Sequence, residues 1–221
     1  MFDPGSVSLI LWDFDGVILD SMAVREDGFR QVLNEFDQEK VDRLIVYHRE
    51  NGGLSRYVKF RYFFEQILGI PVTEEKVYAL AAEFSVIMKR MLANPTYLIS
   101  DSCEFIRDYY QAIPMHIVSG SDHQELNYLC RELKIANFFK TINGSPTPKA
   151  ELIRIILQHE EIDPSTVVLI GDSRNDYEAA VENSITFIGY NNTALQAHHR
   201  YISELSVYNK KYRNQAWYYG I

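Results

Sequence analysis

Apolar positions in this chain occur either in short runs or with helical spacing, and the order of the two textures predicts the architecture. The run Val7–Trp12 ends in acidic residues and a glycine, which reads as a buried strand whose C-terminal end delivers Asp13 into a loop. From about Met22 to Ala93 the spacing becomes helical. Phe29, Val32, Leu33 and Phe36 share one face, and Tyr57, Phe60, Phe64 and Ile67 share another. About four helices fit this block. Asn51-Gly52-Gly53 punctuates it as a turn, and Gly69-Ile70-Pro71 stops one helix before a new start at Thr73-Glu74-Glu75.

Beyond Asn94-Pro95, helices alternate with short apolar runs. Helices are predicted over Asp101–Gln111, Asp122–Leu133, Pro148–His159 and Asn175–Glu182. Strands are predicted over Met115–Val118, Phe139–Ile142, Val167–Ile170 and Thr186–Tyr190. Such alternation implies an α/β fold, a Rossmann-like parallel sheet core with helices on both faces that binds its ligand beyond the C-terminal strand ends. The helical block then becomes an inserted α-helical cap, placed as a lid above the Asp13 loop. The expected division is a core of residues 1–18 and 96–221 and a cap of residues 19–95. The aromatic tail with Trp217, Tyr218 and Tyr219 is expected to pack on the core or on a partner.

Composition narrows the functional classes. At 221 residues, 47% of them hydrophobic, the chain can bury a sizeable core, so a packed enzyme or binding domain fits better than disorder. A formal charge of −8 argues against a phosphate-backbone surface, and no nucleic-acid partner is expected. Cys103 and Cys130 have neither CxxC spacing nor the density of a secreted scaffold, so a reducing cytoplasm is the expected compartment and sulfur is not expected to bind metal. Asp13 and Asp15 interrupt the first apolar run, which does not read as a signal peptide, and no run is long enough to span a bilayer. His48, His116 and His123 lack paired ligand spacing.

Four segments carry candidate chemistry, each with a plainer alternative. Asp13-Phe14-Asp15-Gly16-Val17 places two carboxylates beside a glycine that permits a sharp turn, although Asp-Gly between apolar runs also suits a hairpin. Ser119-Gly120-Ser121 lies between a strand and a helix N-terminus and suits an anion, unless Ser121 or Asp122 simply caps the helix. Lys149 starts a helix at the end where the macrodipole disfavours cations; it either reaches a phosphate and an attacking carboxylate or stays solvated. In Gly171-Asp172-Ser173-Arg174-Asn175-Asp176, a strand-to-helix turn can direct two carboxylates into an oxygen-rich site for a hard cation such as magnesium, or form an acidic cap. All four fall at successive predicted C-terminal strand ends, where one pocket would form.

Taken in order, Asp13–Val17, Ser119, Lys149 and Gly171–Asp176 resemble the four motifs of the haloacid dehalogenase-like (HAD) hydrolase superfamily. The block between Leu19 and Pro95 resembles the C1 cap of its phosphoglycolate phosphatase-like and beta-phosphoglucomutase-like members. The resemblance implies a magnesium-dependent phosphatase that hydrolyses a small phosphomonoester, a sugar phosphate or a phosphoglycolate-like acid, through an aspartyl-phosphate on Asp13. It implies that Asp15 acts as general acid and base, that Asp13, Asp15 through its backbone carbonyl, and Asp172 hold the metal, and that Asp176 orients bound water or Lys149. Ser119, Gly120 and Lys149 would hold the phosphoryl oxygens. An acid at the Asp15 position favours phosphate-ester chemistry over dehalogenation by the same resemblance.

The charges make a cation necessary to this reading. A phosphate dianion meeting these carboxylates is repelled by roughly 4 kcal/mol for each unit pair about 4 Å apart at an effective dielectric near 20, and magnesium with Lys149 reverses the sign. The polar turn His48–Arg56 in the cap is expected to select the leaving group through Arg49, Arg56 or Lys59, a solvated connection being the plain alternative. Two other functions share these motifs. One is a phosphosugar mutase of the beta-phosphoglucomutase type, in which a second sugar hydroxyl intercepts the phosphoenzyme, and the other is a non-catalytic regulator that senses a phosphorylated ligand.

Overall fold

The computed structural model describes residues 2–208, so the aromatic tail lies outside the described residues. Strand β1 (Leu9–Trp12) is buried at every position. Ile10 and Trp12 point into one apolar layer, with Phe105 and Leu126, while Leu9 and Leu11 point into the other, with Ile153 and Ala180. A strand covered on both faces has no position that tolerates a polar side chain, which is why it reads as a continuous apolar run.

Around β1 the described residues form a six-stranded parallel sheet in the order β3-β2-β1-β4-β5-β6. Its other strands are β2 (Met115–Asp122), β3 (Thr141–Ser145), β4 (Val167–Gly171), β5 (Thr186–Tyr190) and β6 (Tyr201–Ile202). Because β1 pairs in parallel with β2 and β4, the Asp-Gly turn after it closes no hairpin. The chain runs outward from β1 to β3 and then returns to β4 on the opposite side. That reversal opens a crevice beyond the C-terminal ends of β1 and β4, where doubly wound sheets bind ligands.

Four helices, α1 (Met22–Val32), α2 (Gln38–Glu50), α3 (Arg56–Tyr62) and α4 (Glu74–Leu92), lie between β1 and the first core helix, α5 (Ser100–Tyr109). The remaining core helices are α6 (His123–Glu132), α7 (Lys149–Glu160) and α8 (Arg174–Glu182). One departure from the expected spacing follows α3, where Phe63–Leu68 is wound as a π-helix. The wider turn buries Phe63 as well as the expected Phe60, Phe64 and Ile67, and Phe36 packs edge-on against Phe63 and Phe64 at 5.2 and 5.5 Å. Gly69, with φ of 71°, ends this stretch in the left-handed region, and Thr73 caps α4 through the Lys76 N–H.

Other bounds differ from expectation in ways the backbone explains. The second strand does not stop at Val118 but continues through Ser119-Gly120-Ser121, with its register against β3 shifting between Val118 and Asp122. The third lies two residues later than expected, because Ala136–Phe138 forms a 3-10 turn that delays it. β6 is too short for any periodic signal. No helix of the described residues is long and apolar enough to cross a membrane.

Candidate active site

Asp13 leaves β1 with its backbone N–H donating to the Ile170 carbonyl at 3.0 Å, which holds it between the ends of β1 and β4. Its buried carboxylate lies 2.9 Å from the Lys149 ammonium, and Lys149 also pairs with Asp176. Asp176 is fixed in turn by the capping box of α8, accepting from the Ser173 N–H at 3.0 Å and the Ser173 hydroxyl at 2.7 Å. Lys149 therefore stands at an unfavourable helix terminus because two carboxylates meet it there.

Asp172 closes the group from the end of β4. Gly16 sits at φ of 75°, and a Cβ built on it would lie 2.1 Å from Asp172 Oδ2, so only glycine lets the β1 loop approach this carboxylate. Two asparagines clamp the loops from the far side. Asn191 donates to the Gly16 carbonyl at 2.8 Å and Asn192 to the Asp172 carbonyl at 2.7 Å. Their sequence shows no more than a glycosylation-like triplet, since their task is set by loops far away in the chain.

Carboxylate oxygens of Asp13, Asp172 and Asp176 all lie within 4.8 Å of one another. Burial first, and then the Asp176 charge, push the Asp13 carboxyl up to about 7 against the opposing pull of Lys149. Burial and the Asp13 charge likewise raise Asp172 well above the ordinary carboxylate range. Mutual repulsion of buried, oxygen-only donors is relieved by a hard divalent cation, so the residues present fit magnesium. Both oxygens of Asp176 are already engaged, which leaves Asp13 and Asp172 as the better ligands.

The Asp15 side chain turns away from this cluster. Its Oδ1 accepts from the Ser21 hydroxyl and from Arg25 Nε at 2.6 Å, and its Oδ2 accepts from the Ser121 hydroxyl. Burial alone would raise this carboxyl, but the Arg25 charge and the hydrogen bonds from Ser121, Ser21 and Arg25 outweigh it and hold the group below its usual value. Ser121 thus serves Asp15, and Asp122 is the helix cap, accepting from the Glu125 N–H at 3.0 Å. Ser119 is buried, and its hydroxyl accepts from the Ser121 N–H at 3.1 Å.

The Gly52-Gly53 turn of the helical block seats directly on the core loops. A Cβ on Gly120 would fall 2.3 Å from the Gly53 carbonyl, and one on Gly53 would fall 2.8 Å from the Ser173 hydroxyl. Between block and core lies a narrow cleft, a cavity of about 30 Å³, with Asp13, Asp15, Asp172 and Ser119 on the core side. Arg56 and Lys59 line it, and both are buried. Arg49 does not. It follows the buried His48 by one position on α2, which turns it about 100° off the inward face, and it forks onto Glu26 at 2.6 and 2.7 Å in solvent.

Lys59 lies 2.8 Å from His48 Nδ1 and donates to the Gly52 carbonyl at 3.1 Å. Burial, followed by the Arg25 charge, pushes the Lys59 ammonium down to about 7; burial, followed by the Lys59 charge, pushes His48 down to about 2, leaving the imidazole a neutral acceptor. Arg25, Glu125 and Ser21 were not legible as site residues. Their one signal is periodic, since Arg25 shares a face with Phe29 and Val32, and Glu125 with Leu129, so each is a charge on an apolar stripe.

A doubly wound sheet gathers carboxylates, a buried lysine and a serine loop at its switch point, beneath the helices that follow β1, where α/β enzymes of this topology bind their ligands. The haloacid dehalogenase-like hydrolase model matches residues 10–190, and the chain belongs to that family. A phosphoglycolate phosphatase of Pseudomonas putida is 22% identical over 198 residues, covering 84% of this chain and 70% of the relative. A phosphorylated carbohydrates phosphatase of Thermotoga maritima is 24% identical over 183 residues, covering 77% and 79%. In fold, the crystal structure of a beta-phosphoglucomutase from Clostridium difficile superposes with a TM-score of 0.71 over 96% of this chain and 98% of its own, at 15% identity.

Proposed function

We propose that this hydrolase releases phosphate from a small organic phosphomonoester by attack of the Asp13 carboxylate on phosphorus, beneath a cap formed by residues 19–95 on a core of residues 1–18 and 96–221. The observation that carries this reading is the meeting of Asp13, Lys149 and Asp172 at the strand ends. Asp13 and Asp172, with the backbone carbonyl of Asp15, would hold magnesium, which supplies positive charge to the phosphoryl oxygens and favours the ionised form of Asp13. Lys149 neutralises the attacking carboxylate and a phosphoryl oxygen, while Asp176 holds the ammonium at that position. The Ser119 hydroxyl and the Gly120 N–H donate to the remaining oxygens.

Attack forms an aspartyl-phosphate as the bond to the leaving oxygen breaks, and Asp15, which is held ionised here and takes up a proton from solvent as the substrate binds, gives that proton to the leaving oxygen. Asp15 then takes a proton from the water that hydrolyses the phosphoenzyme. Arg56 and Lys59 bind the leaving half of the substrate. Phosphorylated metabolites screened with magnesium should yield inorganic phosphate, and Asp13→Asn should abolish its release while circular dichroism stays native. Magnesium-dependent turnover by Asp13→Asn would overturn the assignment, and isomerised sugar phosphate in place of free phosphate would mark a mutase.

A further inference from the structure

The two ends of the cleft differ in their balance of charge. At the catalytic end Asp13, Asp172 and Asp176 face a single ammonium, Lys149, and a dication corrects the surplus. At the other end the two carboxylates Asp15 and Glu125 are paired with the guanidiniums of Arg25 and Arg56, and Lys59, whose burial disfavours its charge, lines the same cleft. Glu125 is fully buried in the first turn of α6 and is shared. One of its oxygens accepts from Arg25 Nη1 at 3.1 Å, and the other accepts from Arg56. Arg56 is further fixed by the Ser85 hydroxyl at 2.8 Å and by the Phe84 ring, 4.6 Å away.

Arg25 is the residue whose hydrogen bonding is incomplete. Its Nε is on Asp15 and its Nη1 on Glu125, but its buried Nη2 has no hydrogen-bond partner among the described residues, although the side chain lines the cleft. A buried guanidinium donor without an acceptor is costly, and a two-oxygen anion meets that need. Building on the phosphatase reading, we infer that Arg25 receives a second anionic group, a carboxylate or a phosphate on the leaving half of the substrate, and in doing so gives up its hold on Asp15.

The fork of the guanidinium supplies the coupling. Nη2 shares one edge with Nε, so an anion whose two oxygens fork onto that edge takes the Nε–H from Asp15, while Nη1 keeps its hold on Glu125. Asp15 is the partner that yields, because its side chain is 15% exposed while that of Glu125 is 0% exposed, and an abandoned carboxylate costs less where water reaches it. The exchange leaves Asp15 Oδ1 with the Ser21 hydroxyl alone and opens the position that Arg25 occupies here to the leaving oxygen. A phosphomonoester without a second anion leaves Arg25 where it is. Specificity and the availability of Asp15 are then set by one side chain.

The test compares matched probes in the magnesium-loaded enzyme, phosphoglycolate against 2-hydroxyethyl phosphate and fructose 1,6-bisphosphate against fructose 1-phosphate. Wild type should favour the anionic member of at least one pair by roughly 10- to 100-fold in kcat/KM, as expected for a charge-assisted hydrogen bond, and the pair that responds distinguishes carboxylate from phosphate. In Arg25→Gln that ratio should collapse towards one. Arg25→Lys, which keeps the charge but not the fork, should recover KM better than kcat. Equal rates within both pairs for wild type, or equal losses on both members in Arg25→Gln, would overturn the inference and leave the phosphatase reading standing. Should wild type release phosphate from none of the four, that reading is itself in question. Calorimetric binding then decides: tighter binding of phosphoglycolate than of 2-hydroxyethyl phosphate that is lost in Arg25→Gln supports the role of Arg25, and equal binding refutes it.

Discussion

Replacing Lys59 by methionine exchanges a buried ammonium for an apolar chain of similar length, and the resulting change in stability should depend on pH in a direction that the site dictates. Lys59 is 2% exposed, and burial together with the Arg25 charge brings its pKa from 10.5 down to about 7. Between those two values the unfolded chain keeps the proton and the folded protein gives it up, so this group makes stability rise with pH. Its penalty is complete below about pH 7 and fades as pH approaches the unfolded value. A depression of that size corresponds to ~5 kcal/mol. Methionine also strands His48 Nδ1 and the Gly52 carbonyl, at about 1–3 kcal/mol each, but that cost is nearly independent of pH. Comparison at two pH values cancels it. Urea unfolding in EDTA should find Lys59→Met more favourable at about pH 6 than at about pH 9.5 by roughly 3 kcal/mol. Losing the Lys59 charge also eases protonation of His48, which adds in the same direction. Turnover should fall in the same variant, the usual exchange between stability and function. A stability change that is equal at the two pH values, or larger at the higher one, would refute the reasoning.

Gly16→Ala sets a Cβ against Asp172 at a left-handed φ. It should weaken magnesium activation at least about tenfold and cost roughly 1–3 kcal/mol in urea unfolding; an unchanged magnesium titration would contradict the close approach. Magnesium at ~100 times its Kd should raise stability by about 2.7 kcal/mol, reversibly with EDTA, and calorimetry on Asp172→Asn should show this gain lost. Arg49→Ala should leave the substrate ranking and kcat/KM as they are, whereas Arg56→Ala should lower kcat/KM by at least about tenfold. Equal losses in the two variants would return Arg49 to the cleft.

The layout of strands and the convergence of the four candidate segments were legible because they depend on local rules. Leu9–Trp12 had to be apolar throughout to lie between two helical layers, and Gly69 and Thr73 mark helix ends whatever surrounds them. Gly16 and Gly171-Asp172 stand where the strands release the chain, so sequence order alone brought Asp13, Lys149 and Asp172 to one edge of the sheet. What a buried polar side chain meets is another matter, because its partner comes from a distant segment and leaves no periodic trace. Arg25 on Asp15 and Glu125, Ser121 on Asp15 in place of a helix cap, and the asparagine clamps all depend on loops brought together by folding. Arg49 and Arg56 look alike in sequence, but Arg49 lies off the inward face of α2 whereas Arg56 opens α3 against Glu125, which separates a solvent-exposed ion pair from a cleft residue. Hydrophobic spacing determined which faces of this chain are buried; only the tertiary structure decided which buried charges face one another, since electrostatic pairing depends on distance in space and not on position along the chain.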